Sequence, residues 1–382
     1  MVVNQEIPIA RIAGIRVAAH WSVLVIGALL AWSVAAGVIP VAAPGTSVLI
    51  AWLVGTGTAV LLIASLTAHE LAHSLVARQR GVAVEGITLW VFGGVSHIKG
   101  DWGSARTEIA VAVAGPATTL ILAGLFYGIA AALDAVGAPP LAVVVPWWLA
   151  VVNVTLLVFN TVPAFPLDGG RILRGILWAH RGDRASATRS AALWGRIFAF
   201  FLMAAGLVDF FLTSDIGGIW LVFIGWFLET ANRAEVQGES VQRMLAGVTV
   251  GQVMTPNPVV VPGWVSVDVL IEQYAMRYHF TTFPIHDISG HIQGLVTLRG
   301  MKRVAVAERG HMRAADIAIP LEQVPTAASG DPLVDLLPRL GISSDGRALV
   351  FDGDQLVGIV SPSDIARRMQ LGELRVMPPR AA

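Results

Sequence analysis

Two histidines and a glutamate lie close together near the end of a long apolar stretch. His69 and His73 are four residues apart, so on a helix they lie one turn apart on the same face. Two imidazoles at this spacing can bind one metal ion, and Glu70 stands beside them as a carboxylate able to activate bound water. The alternative is a solvated helix end, but ionisable groups at membrane depth are costly and usually functional. The pattern therefore predicts a catalytic metal site.

A catalytic zinc site needs one more protein ligand, because such sites hold three protein ligands and a water. The N-terminal part of the chain offers Asp168, in FNTVPAFPLDGGR, at the end of another apolar stretch. Taken alone, this motif would favour a helix break followed by a capping aspartate. Together with the two histidines, it favours Asp168 as the third ligand.

The elements that must position these residues are membrane helices. The chain is 55% hydrophobic and 14% charged, whereas soluble domains carry about 25% charged residues. Its apolar stretches can cross about 30 Å of hydrocarbon and predict a polytopic α-helical membrane domain of about six transmembrane helices. They are residues 17–69, divided by a break at Pro40–Ser47, then 109–133 and 135–167, and the weaker Ala191–Leu212 and Ile216–Leu228.

Positive charges alternate between successive loops. The loops at 78–106 and 168–190 carry several Arg or Lys, whereas those near 38–48 and 134–146 carry none. By the positive-inside rule this predicts a multi-pass protein of the cell membrane with both termini in the cytoplasm and the metal site on the cytoplasmic side. The net charge is zero, so nothing points to a nucleic-acid partner.

The C-terminal part differs in composition and repeats itself. After about Asn232 the sequence has charges, short β-branched runs and turn residues, as expected of a soluble α/β unit. Three pairs of matching residues are each 64 positions apart. A constant offset at several positions indicates two copies of one module. The pairs are Pro256 and Pro320, Gly294 and Gly358, and Thr297 and Ser361.

The motifs HELAH and NTVPAFPLDGG together resemble the site-2 protease family of intramembrane zinc metalloproteases. The resemblance covers residues 1 to about 230 and implies that His69, His73 and Asp168 bind one zinc ion, with Glu70 as general base. It is greatest to the subgroup that carries C-terminal cystathionine-β-synthase (CBS) domains and no PDZ module. One position departs from the family pattern, since Thr119 replaces the usual asparagine of the third span. We expect altered packing there rather than lost activity, because a threonine still hydrogen-bonds across helices.

Asn160 begins the second motif and has two possible roles. Its amide can stabilise the oxyanion of the reaction, or it can form a hydrogen bond between two spans. The stretch Gly86–Ile98 contains Gly93-Gly94 and predicts a re-entrant β-hairpin whose edge pairs with an unwound substrate; the alternative is an ordinary cytoplasmic loop. His97 and His20 are assigned structural roles, His20 at the entry to the first helix.

The two C-terminal modules resemble CBS domains, whose motif is G-h-h-T/S-x-x-D. The second module matches in full with Gly358, Ser361 and Asp364, whereas the first has Thr297 but Gly300 in place of the acid. The resemblance implies one dominant site for an adenine nucleotide. The alternative for Asp364 is a helix N-terminal acid, which contributes at most about 1 kcal/mol.

The sequence as a whole predicts a zinc-dependent intramembrane endopeptidase at residues 1–231, followed by CBS domains at 247–305 and 312–372. The family implies a single-span membrane substrate, such as an anti-sigma factor or a pro-protein, and cleavage that follows a first cut elsewhere. It also allows a dimer through the CBS pair. Two alternatives are a CBS-regulated transporter or channel, in which the same residues line an ion pathway, and a catalytically inactive scaffold.

Overall fold

The chain divides into two compact units in the computed structural model. They are Met1–Gln237 and Gly238–Ala382. The structure describes residues 6–90, 93–99, 102–213, 216–340 and 344–376. Each unit has its own hydrophobic cores and is considered by itself.

Long apolar helices make up most of the first unit. Helices α1 (Ser22–Ser33) and α2 (Ile39–Ala42) are joined by a π turn into one helix. Among the described residues, five helices are long and apolar enough to cross a membrane, which agrees with the predicted polytopic domain. They are Ser22–Ala42, α3 (Val48–Gln79), α4 (Ala105–Ala135), α5 (Pro140–Asn160) and α7 (Arg184–Thr213).

The sixth predicted span is not among these five. The run Ile216–Leu228 opens helix α8 (Ile216–Leu245), and its apolar part ends at Glu229, where charged residues begin. The fourth apolar run also contains more than one element. Its helix ends at Asn160, a turn follows, and the short helix α6 (Asp168–Arg181) begins at the aspartate, where a loop was predicted.

A four-stranded sheet accompanies the helices of this unit. The strands are β1 (Glu6–Ile12), β2 (Ile15–His20), β3 (Ala83–Trp90) and β4 (Gly93–Lys99), in the order β1-β2-β3-β4. The pair β3–β4 is antiparallel, which confirms the hairpin predicted over Gly86–Ile98, although residues 91–92 lie outside the described part. Strand β2 pairs in parallel with β3, a contact between distant segments that the sequence did not indicate.

Helix α4 lies at the centre of the helical part. It packs against α3, α5 and α6, and α6 packs in turn against α7. His20, at the end of β2, shares a hydrogen bond of 2.9 Å between its Nδ1 and the hydroxyl of Ser22, at the start of α1. This is the role at the helix entry that was expected for it.

The second unit contains two four-stranded sheets, ordered β6-β7-β8-β9 and β10-β11-β12-β5. The first sheet is formed by β6 (Val261–Pro262), β7 (Thr282–His286), β8 (Ile292–Thr297) and β9 (Ile319–Pro320). The second is formed by β10 (Thr326–Ala328), β11 (Ala348–Asp352), β12 (Gln355–Val360) and β5 (Thr255–Pro256). The helices of the unit are α9 (Val267–Val269), α10 (Met276–Tyr278), α11 (Leu298–Arg303), α12 (Leu333–Leu336) and α13 (Pro362–Val376).

The sequence repeat appears as an exchange of edge strands between the two modules. Pro256 of β5 pairs with Gly358 of β12, and Pro320 of β9 pairs with Gly294 of β8. A side chain on Gly294 would lie 2.2 Å from the carbonyl oxygen of Ile319, so the close strand approach requires glycine. The repeated Pro and Gly positions thus mark the same crossing in each module, which agrees with two copies of one module.

Candidate metal centre

The three predicted ligands meet at one point in the first unit. His69 and His73 lie on α3, and their Nε2 atoms are 3.1 Å apart. Oδ2 of Asp168, the first residue of α6, lies 3.2 Å from the first of these nitrogens and 3.3 Å from the second. All three residues are buried, and their ligand atoms lie within 4.8 Å of one another. Two imidazoles and one carboxylate form a donor set typical of catalytic zinc.

Helix α4 orients both imidazoles through hydrogen bonds to their Nδ1 atoms. Nδ1 of His73 lies 2.6 Å from the carbonyl oxygen of Val111, and Nδ1 of His69 lies 2.8 Å from the hydroxyl of Thr119. That hydroxyl in turn donates to the carbonyl oxygen of Gly115 at 3.2 Å. Each Nδ1 therefore carries a proton, which leaves the lone pair on Nε2 free to bind a metal.

The charge of the third ligand also suits a metal ion. Burial raises the pKa of Asp168, but when no metal is bound and the Nε2 atoms of His69 and His73 carry protons, their hydrogen bonds and positive charge outweigh burial and hold that pKa well below its usual range. The carboxylate is therefore ionised, which is the form that binds a cation.

Two glycines leave space around the ligands. A side chain on Gly115 would lie 2.2 Å from Nε2 of His73 and 2.6 Å from Nε2 of His69. A side chain on Gly94, in β4, would lie 2.2 Å from Cγ of Glu70. The imidazole nitrogens thus face a space that any larger residue would fill, and β4 passes directly against the glutamate. The residues present fit a bound zinc ion.

The pair of glycines after Asp168 fixes the start of α6. A side chain on Gly169 would lie 2.3 Å from the carbonyl oxygens of Thr161 and Val162, and one on Gly170 would lie 2.6 Å from the carbonyl carbon of Ala164. The helix therefore begins in direct contact with the turn that follows α5, which places Asp168 beside the histidines.

Asn160 and His97 keep the interpretations given to them from the sequence. Asn160 is the last residue of α5 and is half-buried, and its side chain makes no hydrogen bond to any residue that the structure describes. His97 belongs to β4 by its backbone, whereas its side chain lies outside the described part. The oxyanion role of Asn160 remains a prediction.

Sequence reasoning missed several groups that support this centre. The carbonyl of Val111 has no sequence signal, because any residue carries one. Gly94 entered the prediction only as part of a hairpin turn, and Gly115 was assigned no role. Arg174, which is buried on α6, was counted as a loop charge. An arginine six residues after a ligand within a helix was the available signal.

The predicted nucleotide residues cap helices in the second unit. The hydroxyl of Thr297 accepts a hydrogen bond from the Gly300 amide at 3.3 Å, at the start of α11. The carboxylate of Asp364 accepts from the Ser361 amide and from the hydroxyl of Thr255, each at 3.0 Å. These bonds match the capping alternative for Asp364, and nucleotide contact by these residues remains a prediction.

A basic cleft lies elsewhere in the same unit. It has a volume of about 790 Å³. The cationic residues of its lining are Arg299, Lys302, Arg303 and Arg347. Asp345 lies in the same lining and pairs with Arg299 at 3.1 Å. The excess of positive charge suits an anionic ligand.

Comparison with known proteins gives two family matches. The model of peptidase family M50 matches residues 57–139 and 141–205, and the CBS domain model matches residues 314–371. Both histidines and Asp168 fall within the first match. Rip3 of Mycobacterium tuberculosis, whose name classes it among the zinc metalloproteases, is 44% identical over 97% of this chain and 94% of its own length.

Two archaeal matches are more distant. A zinc metalloprotease of Methanocaldococcus jannaschii is 28% identical over 83% of this chain and 86% of its own length. The solved structure of the site-2 protease from the same organism is 28% identical and covers 60% of this chain and 95% of its own, with a TM-score of 0.40.

Proposed function

The chain belongs to peptidase family M50, and we propose that this zinc metalloprotease cleaves a peptide bond within a transmembrane segment of its substrate. The proposal rests on one observation. His69, His73 and Asp168 lie together in one buried site within a bundle of apolar helices. Family membership favours a peptidase over the alternative of a transporter or channel. The buried ligand set also favours an active enzyme over an inactive scaffold.

The proposed chemistry divides the work between the ligands and one base. His69, His73 and Asp168 would hold the zinc ion, which would lower the pKa of water toward neutrality and polarise the peptide carbonyl. Glu70 accepts a proton from the attacking water as its oxygen bonds to the carbonyl carbon. The same carboxyl then passes this proton to the amide nitrogen as the carbon–nitrogen bond breaks.

Asn160 is the proposed donor for the oxygen that gains charge during this attack. It ends α5, and the turn after it leads directly to Asp168. Its amide has no partner among the described residues and so is free to donate to an oxyanion.

Strand β4 is the proposed docking edge for the substrate. A helical substrate has no free backbone groups, because each N–H and C=O is paired within the helix. An extended substrate segment can add to a sheet edge by backbone hydrogen bonds. Strand β4 lies at the edge of its sheet, and its Gly94 approaches Glu70 closely. A peptide on this edge would therefore pass beside the general base.

The substrate class follows from the family resemblance. We propose a single-span membrane protein, such as an anti-sigma factor or a pro-protein, cut after a first cleavage elsewhere in regulated intramembrane proteolysis. The alternation of Arg and Lys between loops supports a cytoplasmic location of both termini and of the metal site.

The CBS pair is the proposed regulatory unit. We propose that it binds an adenine nucleotide, with Ser361, Asp364 and Thr297 at the site, and that it allows a dimer. The basic cleft, whose lining does not include these three residues, has four cationic side chains that favour an anionic ligand at a separate place in this unit.

The decisive experiment combines metal analysis with cleavage. Purified full-length protein in detergent or bilayer should contain about one zinc ion per chain and cleave a transmembrane peptide. Removal of the metal by a chelator should abolish cleavage, and added zinc should restore it. Cleavage that continues without metal would contradict the proposal.

A further inference from the structure

Arg174 joins three helices of the first unit at a single buried side chain. It lies on α6 and is 2% exposed. Its Nε donates to Oε1 of Glu108 on α4 at 2.6 Å, and its Nη1 donates to Oε1 of Glu235 on α8 at 2.8 Å. The guanidinium also lies 4.9 Å from the centre of the Phe165 ring. A planar guanidinium with several fixed donors suits two carboxylates at once.

Two of the helices joined in this way, α6 and α4, position the proposed metal ligands. Helix α6 begins with Asp168, and Arg174 lies about 9 Å further along the same helix at the rise of an α-helix. Helix α4 contributes Glu108 to the ion pair, and the same helix holds His73 through Val111 and His69 through Thr119. The bond between Arg174 and Glu108 therefore fixes the ligand of α6 relative to the helix that orients both imidazoles.

The two carboxylates bound by Arg174 differ in exposure. The Glu108 side chain is 1% exposed, whereas that of Glu235 is 34% exposed. Removal of one member of a buried ion pair leaves an uncompensated charge and is strongly destabilising. Glu108 is thus required for folding of this region, while Glu235 can be replaced with less damage to the fold.

Helix α8, which carries Glu235, contributes to cores of both units. Its Leu228 lies in a core cluster of the first unit, and its Leu245 lies in one of the second. The hydrogen bond from Arg174 therefore ends on a third helix of the first unit, at Glu235.

We propose that Arg174 is a positioning residue of the metal centre, and that its bond to Glu235 makes the placement of Asp168 depend on α8. The inference rests on the proposed zinc site. It predicts that changes at Glu235 alter the affinity for zinc without touching any ligand.

Zinc affinity of the full-length protein in detergent, measured by competition with a chromophoric chelator, tests the inference. Glu235→Leu should weaken zinc binding about tenfold, within the range of about two- to thirtyfold known for coupled sites. Glu235→Gln keeps an acceptor for Arg174 and should weaken zinc binding less than Glu235→Leu does. Arg174→Lys keeps the charge but lacks the rigid planar fork that holds both carboxylates in a fixed geometry, so it should weaken zinc binding like Glu235→Leu.

The matched control is Glu229→Leu on the same helix. Glu229 is buried and pairs with the exposed Arg233 and Arg196, so its loss should leave zinc affinity unchanged. All variants are measured below the temperature at which the least stable one unfolds, which separates affinity from stability. If the wild type binds zinc and Glu235→Leu binds it with wild-type affinity, this inference alone is overturned. The same holds if the Glu229→Leu control loses as much zinc affinity as Glu235→Leu. A wild type that binds no zinc overturns the proposed function as well.

Discussion

The hydroxyl of Thr119 lies 2.8 Å from Nδ1 of His69. From the family pattern, we expected this threonine to change the packing between helices. We also expected it to hydrogen-bond across helices, and it does: it accepts the ring proton of one proposed zinc ligand on α3 and donates to the carbonyl of Gly115. Val111 gives His73 the same support through its carbonyl oxygen. A single helix thus orients both imidazoles, one by a side chain and the other by its backbone.

The first prediction concerns this hydroxyl. Thr119→Val keeps the shape of the side chain but removes the acceptor, which leaves Nδ1–H of His69 without a partner in a buried site. Loss of such a supporting group lowers metal affinity by about 10- to 100-fold, and we expect that loss in chelator competition. Thr119→Ser keeps the hydroxyl and should bind zinc nearly as the wild type does. Equal affinities of the Val and Ser variants would show that the hydrogen bond has no role.

The second prediction separates the base from the ligands. Glu70→Gln should keep zinc and lose cleavage, because it removes a proton acceptor but no ligand. His69→Ala and Asp168→Ala should lose both. His20→Ala is the matched control, since that histidine bonds to Ser22 outside the centre and should keep both. Zinc content by elemental analysis and cleavage in bilayers decide the matter, and wild-type cleavage by Glu70→Gln would rule out the mechanism.

The third prediction uses two glycines to separate the same two functions. An added methyl on Gly115 would lie 2.2 Å from Nε2 of His73, so Gly115→Ala should lose zinc. An added methyl on Gly94 would collide with Glu70, so Gly94→Ala should retain zinc while cleavage falls at least about 100-fold, the loss typical when a catalytic group is misplaced. Gly124→Ala, on α4 with nothing within 4 Å of the new methyl, is the control and should behave as the wild type. Loss of zinc in Gly94→Ala would contradict the prediction, because it would mean that the added methyl disturbs a metal ligand and not only Glu70.

Much of the site was predictable because its chemistry depends on residue types and on their spacing in the sequence. The histidines four residues apart and Asp168 before two glycines indicated a three-ligand site, and the structure brings them together. The supports were not predictable, since the carbonyl of Val111 and the approach of Gly94 to Glu70 depend on which segments pack together. Strands β2 and β3 pair although α1, α2 and α3 separate them in the sequence. This is likewise a tertiary contact that local patterns do not encode.

One predicted span, in α8, is less apolar than the others for a physical reason. Apolar residues of α8 form a continuous run in the sequence, but helix α8 continues through Glu229 and Arg233 into charged residues. The apolar run of α8 also packs against neighbouring helices. Leu228, for example, is buried in a core cluster with Ala199.

The fourth prediction tests orientation by cysteine labelling, since the chain has no cysteine of its own. Cysteines at Pro44 and Ala138, in turns between apolar helices, should react with an impermeant thiol reagent added to intact cells. Cysteines at Ser186 and Ser289 should react only after the membrane is opened, because the positive-inside rule places both in the cytoplasm. Reaction of the cysteine at Ser289 in intact cells would reverse the proposed topology.

The fifth prediction concerns nucleotide binding by the CBS pair, where only the second module has the acid of the motif. A carboxylate can accept two hydrogen bonds from ribose hydroxyls, whereas Gly300 offers none. Loss of hydrogen bonds to a charged group costs roughly 1.5–3 kcal/mol, a tenfold or greater fall in affinity. Asp364→Ala should therefore weaken binding of adenine nucleotide at least about tenfold and leave zinc content unchanged, as measured by calorimetry on the full-length protein.

The control for this variant must account for the structural bonds of Asp364. Its carboxylate also accepts a hydrogen bond from the hydroxyl of Thr255 at 3.0 Å. Thr255→Val removes that bond without removing the carboxylate, so it should leave nucleotide affinity unchanged although it lowers the stability of the second unit. An equal loss of affinity in Thr255→Val and Asp364→Ala would mean that Asp364 acts only by holding the fold. Two equal sites, or no binding of adenine nucleotide by the wild type, would exclude a dominant site at Ser361 and Asp364.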